Sequence, residues 1–319
     1  MKKILIILGP TATGKTDLAL KLAKKFNGEL ISADSRQVYR GLDIGTGKLP
    51  SGKVFLKKED KFWIINGIKV WMYDVVNPKL SYSVFDYFKE ASQIILKIQQ
   101  DHKLPIIVGG TGLYLKAVIE GLPNLKIPLN LSLRRELEQL PLKALQTKLQ
   151  KLSPASWEKL NNSDRNNKRR LLRSVEIVYM YPYINKSQIS NIKYQKDNIL
   201  KIGLTIPRAI LNKLIDARVL LRLNQGMVEE AARLHHQGLS FKRMHELGLE
   251  YAVLADYLVD KINKEQLIEN LKTKIHQYAK RQMTWFKKEK DVVWFDITAQ
   301  DYYLKVEKLI FAWYNDAAN

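Results

Sequence analysis

The sequence predicts an α/β fold: a parallel sheet flanked by helices, with a small all-helical insertion domain. Three observations predict it. Short apolar, β-branched runs alternate with helical patterns through the first third of the chain, the mark of βαβ units. The first run feeds Gly9-Pro10-Thr11-Ala12-Thr13-Gly14-Lys15-Thr16, which fits G-x-x-x-x-G-K-[ST] at every fixed position. A strand before that pattern and a helix after it are the context in which it binds phosphate. From residue 124 to 199 the β-branched runs vanish and amphipathic helical patterns take over. The domain reading is therefore a P-loop NTPase-like core at 1–123, a basic helical insertion at 124–199, and a mainly helical remainder of the core at 200–319.

Each element has its own signal. Ile4–Leu8 is a five-residue apolar run, the length of a buried strand, and Asp17–Phe26 reads as the helix behind the loop. Glu29–Ala33 is a second strand-like run and leads into Asp34-Ser35-Arg36-Gln37-Val38-Tyr39. Val84–Gln100 is helical, Leu104–Val108 is a third strand running into Gly109-Gly110-Thr111-Gly112, and Leu113–Glu120 is the next helix. The insertion carries Leu131–Leu140 and Ala144–Leu152 as amphipathic helices. Lys201–Ile206 returns the chain to the sheet as a strand. Leu211–Gln237 reads as one long helix stopped by Gly238, and Leu267–Lys287 as another. In such sheets ligands collect at the carboxyl ends of the strands, so the loops at Gly9, Asp34 and Gly109 should meet in one crevice.

Composition bounds the partners. Lys and Arg outnumber Asp and Glu by 53 to 32, a formal charge of +21, which points to a polyanion or to a lysine-rich background. The insertion holds 15 Lys and Arg against 6 Asp and Glu. Its densest stretch runs from Arg165 to Arg173 and suits phosphate contacts, although a charged helix face is often only solvated surface. Lys280 and Arg281, interleaved with Tyr278, Trp285 and Phe286, suit a nucleic-acid backbone or equally a core helix with snorkelling cations. There is no cysteine, which excludes disulfides and thiolate zinc sites and accords with a cytoplasmic location. No run of about 18 apolar residues exists to span a membrane, and the run after Lys3 is too short for a signal-peptide core.

The phosphate loop implies a di- or triphosphate, with Lys15 reaching the outer phosphate and the Thr16 hydroxyl on Mg²⁺. Arg218 and Arg222 lie four residues apart and so share a helix face. Asp34 could take a proton from a nucleophile, or could simply cap a helix or turn; Thr111 could likewise be a turn residue. The open alternatives at this stage are a small-molecule kinase or NTPase, a prenyltransferase acting on free adenine nucleotides, and a non-catalytic RNA-binding ATPase.

Together, Gly9–Thr16, Asp34–Lys48, Tyr82–Phe88, Val108–Tyr114, Arg170–Glu176 and Ala279–Phe286, in this order, resemble the tRNA dimethylallyltransferase family over nearly the whole chain. The resemblance implies transfer of a dimethylallyl group from dimethylallyl diphosphate to N6 of adenosine 37 beside the tRNA anticodon. By it, Asp34, Thr111 and Arg222 are the catalytic residues. Gly9, Pro10, Thr11, Ala12, Thr13, Gly14, Lys15 and Thr16, with Arg218, hold the diphosphate, and Thr16 binds Mg²⁺. Asp34, Ser35, Arg36 and Gln37 line the entrance for a flipped adenine. Arg169, Arg170, Leu171, Leu172 and Arg173, with Lys280 and Arg281, contact the tRNA. The protein is expected to be a cytoplasmic monomer. The chain departs from the family at Val70–Val76, where His-His-Leu-Ile-Asp-like stretches are common, and at Leu247–Tyr251, where Gly-Tyr is usual.

Overall fold

The structure is a computed structural model of the chain and describes residues 3–49, 54–122, 127, 130–180 and 198–316. In chain order the elements are β1 (Ile4–Leu8), α1 (Lys15–Lys25), β2 (Gly28–Ser32), β3 (Leu56–Glu59), β4 (Phe62–Ile65), β5 (Ile68–Trp71), α2 (Val84–Gln100), β6 (Leu104–Gly109) and α3 (Gly112–Glu120). There follow α4 (Leu131–Glu138), α5 (Leu142–Leu152), α6 (Pro154–Glu158), α7 (Asn162–Arg165) and α8 (Lys168–Met180). The chain closes with β7 (Ile199–Thr205), α9 (Arg208–Asn224), α10 (Met227–His236), α11 (Phe241–Leu247), α12 (Leu249–Leu258), α13 (Lys264–Phe286), β8 (Val292–Asp296) and α14 (Tyr302–Asn315). Two compact units result: Met1–Ile119 with Tyr194–Asn319, and Glu120–Lys193.

The first unit is built on one sheet in the order β3-β4-β5-β2-β6-β1-β7-β8. From β5 to β8 every pairing is parallel, and β4 and β3 extend the sheet antiparallel. Ile4 to Leu8 are all buried because β1 lies between β6 and β7 with both faces covered; a continuous apolar run is what such a strand requires. On one face lie α2, α9, α10 and α13, with Tyr87, Ile95, Ile215, Leu271 and Phe286 in the core; on the other lie α1 and α14, with Leu18, Leu22, Val306 and Ile310. α2 starts at a reciprocal Ser83–Asp86 capping box, which satisfies two of the free amides at its N-terminus.

Several expectations need correction. The run 211–237 is two helices: the chain leaves α9 at Gln225, and Gly226, at φ 93°, starts α10. A left-handed residue cannot continue an α-helix, and glycine takes that conformation at low cost. β3, β4, β5 and β8 have no counterpart among the expected strands. The suggested boundary at 123/124 lies outside the described residues, and the one at 199/200 cuts β7 after its first residue.

The described part of the second unit is helical, α4 to α8, and packs its own core from Leu137, Leu145, Leu149, Leu171, Leu172 and Val175. Glu176, fully buried, accepts from Asn130 N at 2.8 Å and from Arg173 Nη1 at 2.7 Å. Leu171 and Leu172, expected at an RNA face, are core residues instead. Their side chains fall at i, i+1 and i+4 with Val175 and point into the bundle. Arg169 and Arg170 are exposed, while Arg173 is half-buried on Glu176 and the Ile127 carbonyl.

Candidate active site

Register brings the three loops to one level. Leu8 pairs with Gly109, and Ser32 pairs with Val108, so β1, β2 and β6 end side by side. The phosphate loop, Asp34 and Thr111 therefore leave the sheet at adjacent carboxyl ends, the expected ligand crevice. Thr111 N donates to the Ala33 carbonyl at 3.0 Å, and Ser35 N donates to Thr111 Oγ1 at 3.0 Å. Asp34 Oδ1 accepts Arg36 N at 2.8 Å, which fixes the carboxyl group and leaves Oδ2 free of hydrogen bonds from the described residues.

The phosphate loop is closed on itself. Thr13 Oγ1 and Lys15 Nζ both donate to the Pro10 carbonyl, at 2.9 and 2.6 Å. Arg218 Nη2 donates to Thr11 Oγ1. One turn further on α9, Arg222 donates to the Gly45 carbonyl at 3.1 Å and faces Glu250 at 3.7 Å. Space for that guanidinium comes from Gly47, where any Cβ would collide with it. Thr16, in the first turn of α1, is half-buried.

The electrostatics are those of a site built for an anion. Burial and the neighbouring Arg218 charge lower Lys15 to about 7, against the pull of Asp34. Burial and Arg222 lower Arg218 to about 9, opposed by Glu250 and Asp34. Burial also lowers Arg222, with Glu250 the main counterweight, and raises Glu250 in turn. Three desolvated cations in one crevice oppose one another, and a diphosphate would relieve all three.

Around this crevice stand residues that sequence reasoning misses. Glu230, 1% exposed, accepts Asp43 N, Ile44 N and Gly45 N at 3.0, 2.8 and 3.0 Å and Tyr251 Oη at 2.6 Å. It holds the loop whose Gly45 carbonyl receives Arg222. Lys48 is fully buried on the Tyr39 carbonyl, Asp43 and Asp74, and Trp63 Nε1 donates to the same Asp74 at 2.6 Å. The signal for Glu230 is its place on the buried stripe of α10 with Met227, Ala231 and Leu234.

The remaining expected residues are placed as follows. Gln37 is occupied inside the fold: Ser32 Oγ donates to its Oε1 at 2.7 Å, and its Nε2 donates to the Thr46 and Gly47 carbonyls at 3.3 Å. Ser35 and Arg36 are half-buried, and the Arg36 Nε is buried without a hydrogen-bond partner among the described residues. Lys280 and Arg281 are exposed on α13. A cavity of about 210 Å³ flanks the phosphate loop on its α1 side, lined among others by Gly14, Asp17, Lys21, Tyr302 and Tyr303. Neither Asp34 nor Thr111 lines it.

A phosphate-loop motif at β1, a carboxylate at β2 and a glycine-threonine loop at β6, meeting at the strand ends, define a P-loop-like α/β fold. The model of the IPP transferase family matches residues 37–289, and that of isopentenyl transferases matches residues 2–71. The chain belongs to the IPP transferase family, a class of prenyl-transferring enzymes. It is 36% identical over 306 residues to the tRNA dimethylallyltransferase of Bacillus cereus strain AH820, covering 93% of this chain and 90% of that one. Among solved structures, the tRNA isopentenylpyrophosphate transferase of Bacillus halodurans matches with a TM-score of 0.69 and 33% identity, over 98% of this chain and 97% of the other. A eukaryotic dimethylallyltransferase acting on tRNA matches with a TM-score of 0.78 and 26% identity, over 97% of this chain and 78% of the other.

Proposed function

We propose that the protein transfers a dimethylallyl group from dimethylallyl diphosphate to N6 of adenosine 37 of tRNA, giving N6-isopentenyladenosine and diphosphate. The observation that carries this reading is the convergence of the Asp34 carboxyl with the Lys15, Arg218 and Arg222 cations at the carboxyl ends of the central strands. The names of the relatives, tRNA dimethylallyltransferase and a dimethylallyltransferase acting on tRNA, support the donor and the acceptor.

The N6 lone pair attacks C1 of the donor as the C1–O bond breaks, and that bond's electron pair leaves on the diphosphate. Loop amides, Lys15, Arg218 and Arg222 stabilise the leaving charge. Asp34 Oδ2 takes the N6 proton, and Thr111 keeps the Asp34 loop in register with the donor. The adenine must leave its stack to reach this crevice, entering past Asp34–Gln37. The Thr16 hydroxyl, in the first turn of α1, would hold a Mg²⁺ ion, since Mg²⁺ in phosphate sites takes few protein ligands. When bound it supplies further charge for the departing diphosphate. No described helix is long and apolar enough to cross a membrane, and the reading is of a cytoplasmic monomer. Arg169, Arg170, Lys280 and Arg281 hold the tRNA backbone.

A second reading, nucleotide turnover, draws on the cavity beside the loop, where Tyr302 and Tyr303 could receive a base. One experiment separates the two. The protein is incubated with Mg²⁺, dimethylallyl diphosphate and unmodified tRNA, and nucleosides are then analysed by mass spectrometry, with ATP hydrolysis followed in parallel. Prenylated adenosine is expected from the wild type. Asp34→Asn should lower kcat by about 100-fold or more while donor binding changes little. ATP hydrolysis without prenylated product would sink the proposal.

A further inference from the structure

Gln282 has no part in the chemistry described so far, yet its side chain is fully committed. It lies on α13 and is 5% exposed. Its Oε1 accepts the amide of Thr11 in the phosphate loop at 2.8 Å, and its Nε2 donates to the carbonyl of Gly110 in the loop before Thr111 at 3.0 Å. The two partners fix which end of the amide is which, because one can only donate and the other only accept. Gly110 is the residue that lets this contact form, since a Cβ there would collide with the Gln282 amide.

The rest of the buried stripe of α13 is apolar: Leu267, Leu271, Ile275, Ala279 and Phe286. A methionine or leucine at 282 would continue it, whereas a buried amide costs desolvation unless both ends are bonded. Hydrogen bonds also run on from both ends. Thr11 takes the Arg218 guanidinium on its hydroxyl. Beyond Gly110, Thr111 binds the Ala33 carbonyl and receives the Ser35 amide, on either side of Asp34. Tyr278, one turn before Gln282, is hydrogen-bonded to Thr111 as well.

We infer that Gln282 is a positioning residue: it spaces the loop that holds the donor diphosphate from the loop that holds the proton-accepting carboxylate. This rests on the proposed prenyl transfer for its kinetic consequence, but not for its structural one. The attacking amine must be held near 3–3.5 Å from C1 of the donor and in line with the departing oxygen, so a small drift between the two loops lowers turnover with little effect on binding of either substrate. Gln282 touches neither reacting atom and acts through Thr11 and Gly110.

The test uses the full-length protein as Gln282→Met, which keeps the volume, and Gln282→Glu, which keeps the acceptor for Thr11 but donates to Gly110 only when protonated. For Gln282→Met the expected result is Thr11 amide exchange faster by about tenfold or more, kcat lower by about tenfold or more, and a KM for tRNA within about twofold of wild type. For Gln282→Glu, kcat relative to wild type should rise as pH falls from about 8 to about 6, because the protonated acid restores the bond to Gly110. Wild-type kcat in Gln282→Met, or loss of kcat and Tm together with Thr11 exchange unchanged, would overturn the inference. A wild type that makes no prenylated adenosine counts against the proposed function alone. Thr11 amide exchange, expected to be faster in Gln282→Met while the affinity for inorganic diphosphate stays within about twofold of wild type, then decides the inference by itself.

Discussion

At the residue scale the site is an arrangement of desolvated cations, of which Arg222 faces a carboxylate, Glu250. Lys15 is held at about 7 by burial and by Arg218, so above neutrality the empty site increasingly carries a neutral lysine. An arriving diphosphate restores the charged form, because an opposite charge in contact favours it. Binding in this range therefore takes up a proton, and affinity falls as pH rises. In metal-free buffer between about pH 7.5 and 9, the Kd for dimethylallyl diphosphate should rise by up to about tenfold per pH unit, with proton uptake visible by calorimetry in two buffers. Lys15→Arg should flatten that slope, since a guanidinium stays charged there. A flat wild-type profile would mean that Lys15 is fully charged without ligand. Such residues are legible because motif spacing names them: Lys15, Asp34 and Thr111 each follow a strand-like run. Leu171 and Leu172 are easily misplaced because charge dominates their segment, while helical periodicity turns them inward. Gln282 is hidden for the opposite reason, a polar residue on an apolar stripe whose partners lie 172 and 271 positions away.

At the element scale the loops work because helices brace them. α10 brings Glu230 under the Asp43–Gly45 turn, and α9 brings Arg222 over it. Glu230→Ala leaves three backbone amides and the Tyr251 hydroxyl without their acceptor. The expected cost is about 3 kcal/mol, from the desolvation of buried groups left unpaired, and thermal unfolding should show it as a drop in Tm. Because the same turn places the Gly45 carbonyl against Arg222, diphosphate binding should weaken in folded Glu230→Gln as well. Unchanged Tm and unchanged binding would remove Glu230 from the architecture of the site. The break that creates α10 is not legible, since Gly226 looks like one tolerated glycine in a long amphipathic pattern. β3 is missed because a short, lysine-bearing strand at a sheet edge lacks the apolar run that marks β1, β2 and β6, and β4, though apolar, is only four residues long. β8 escapes notice beside long helices, being only five residues with its polar end at Asp296.

At the scale of the whole molecule the formal charge of +21 is spread over two kinds of position. Some cations are consumed by the fold: Lys48 is fully buried on Asp43 and Asp74, and Arg173 is tied to Glu176. Others, Arg169, Arg170, Lys280 and Arg281, stand exposed, which is where a polyanion's phosphates can displace counterions. The two classes predict different phenotypes. Arg169→Ala with Arg170→Ala, or Lys280→Ala with Arg281→Ala, should leave Tm unchanged, raise the KM for tRNA, and lower the slope of log K against log salt by about 0.7–0.9 for each phosphate no longer neutralised. Arg173→Ala should instead reduce Tm, because it strips an ion partner from a buried carboxylate. Salt titrations of tRNA binding beside thermal melts of the same variants make the distinction. Equal salt slopes for the wild type and the exposed-cation variants would assign that surface charge to solvation, and with it the net charge of the chain to background composition.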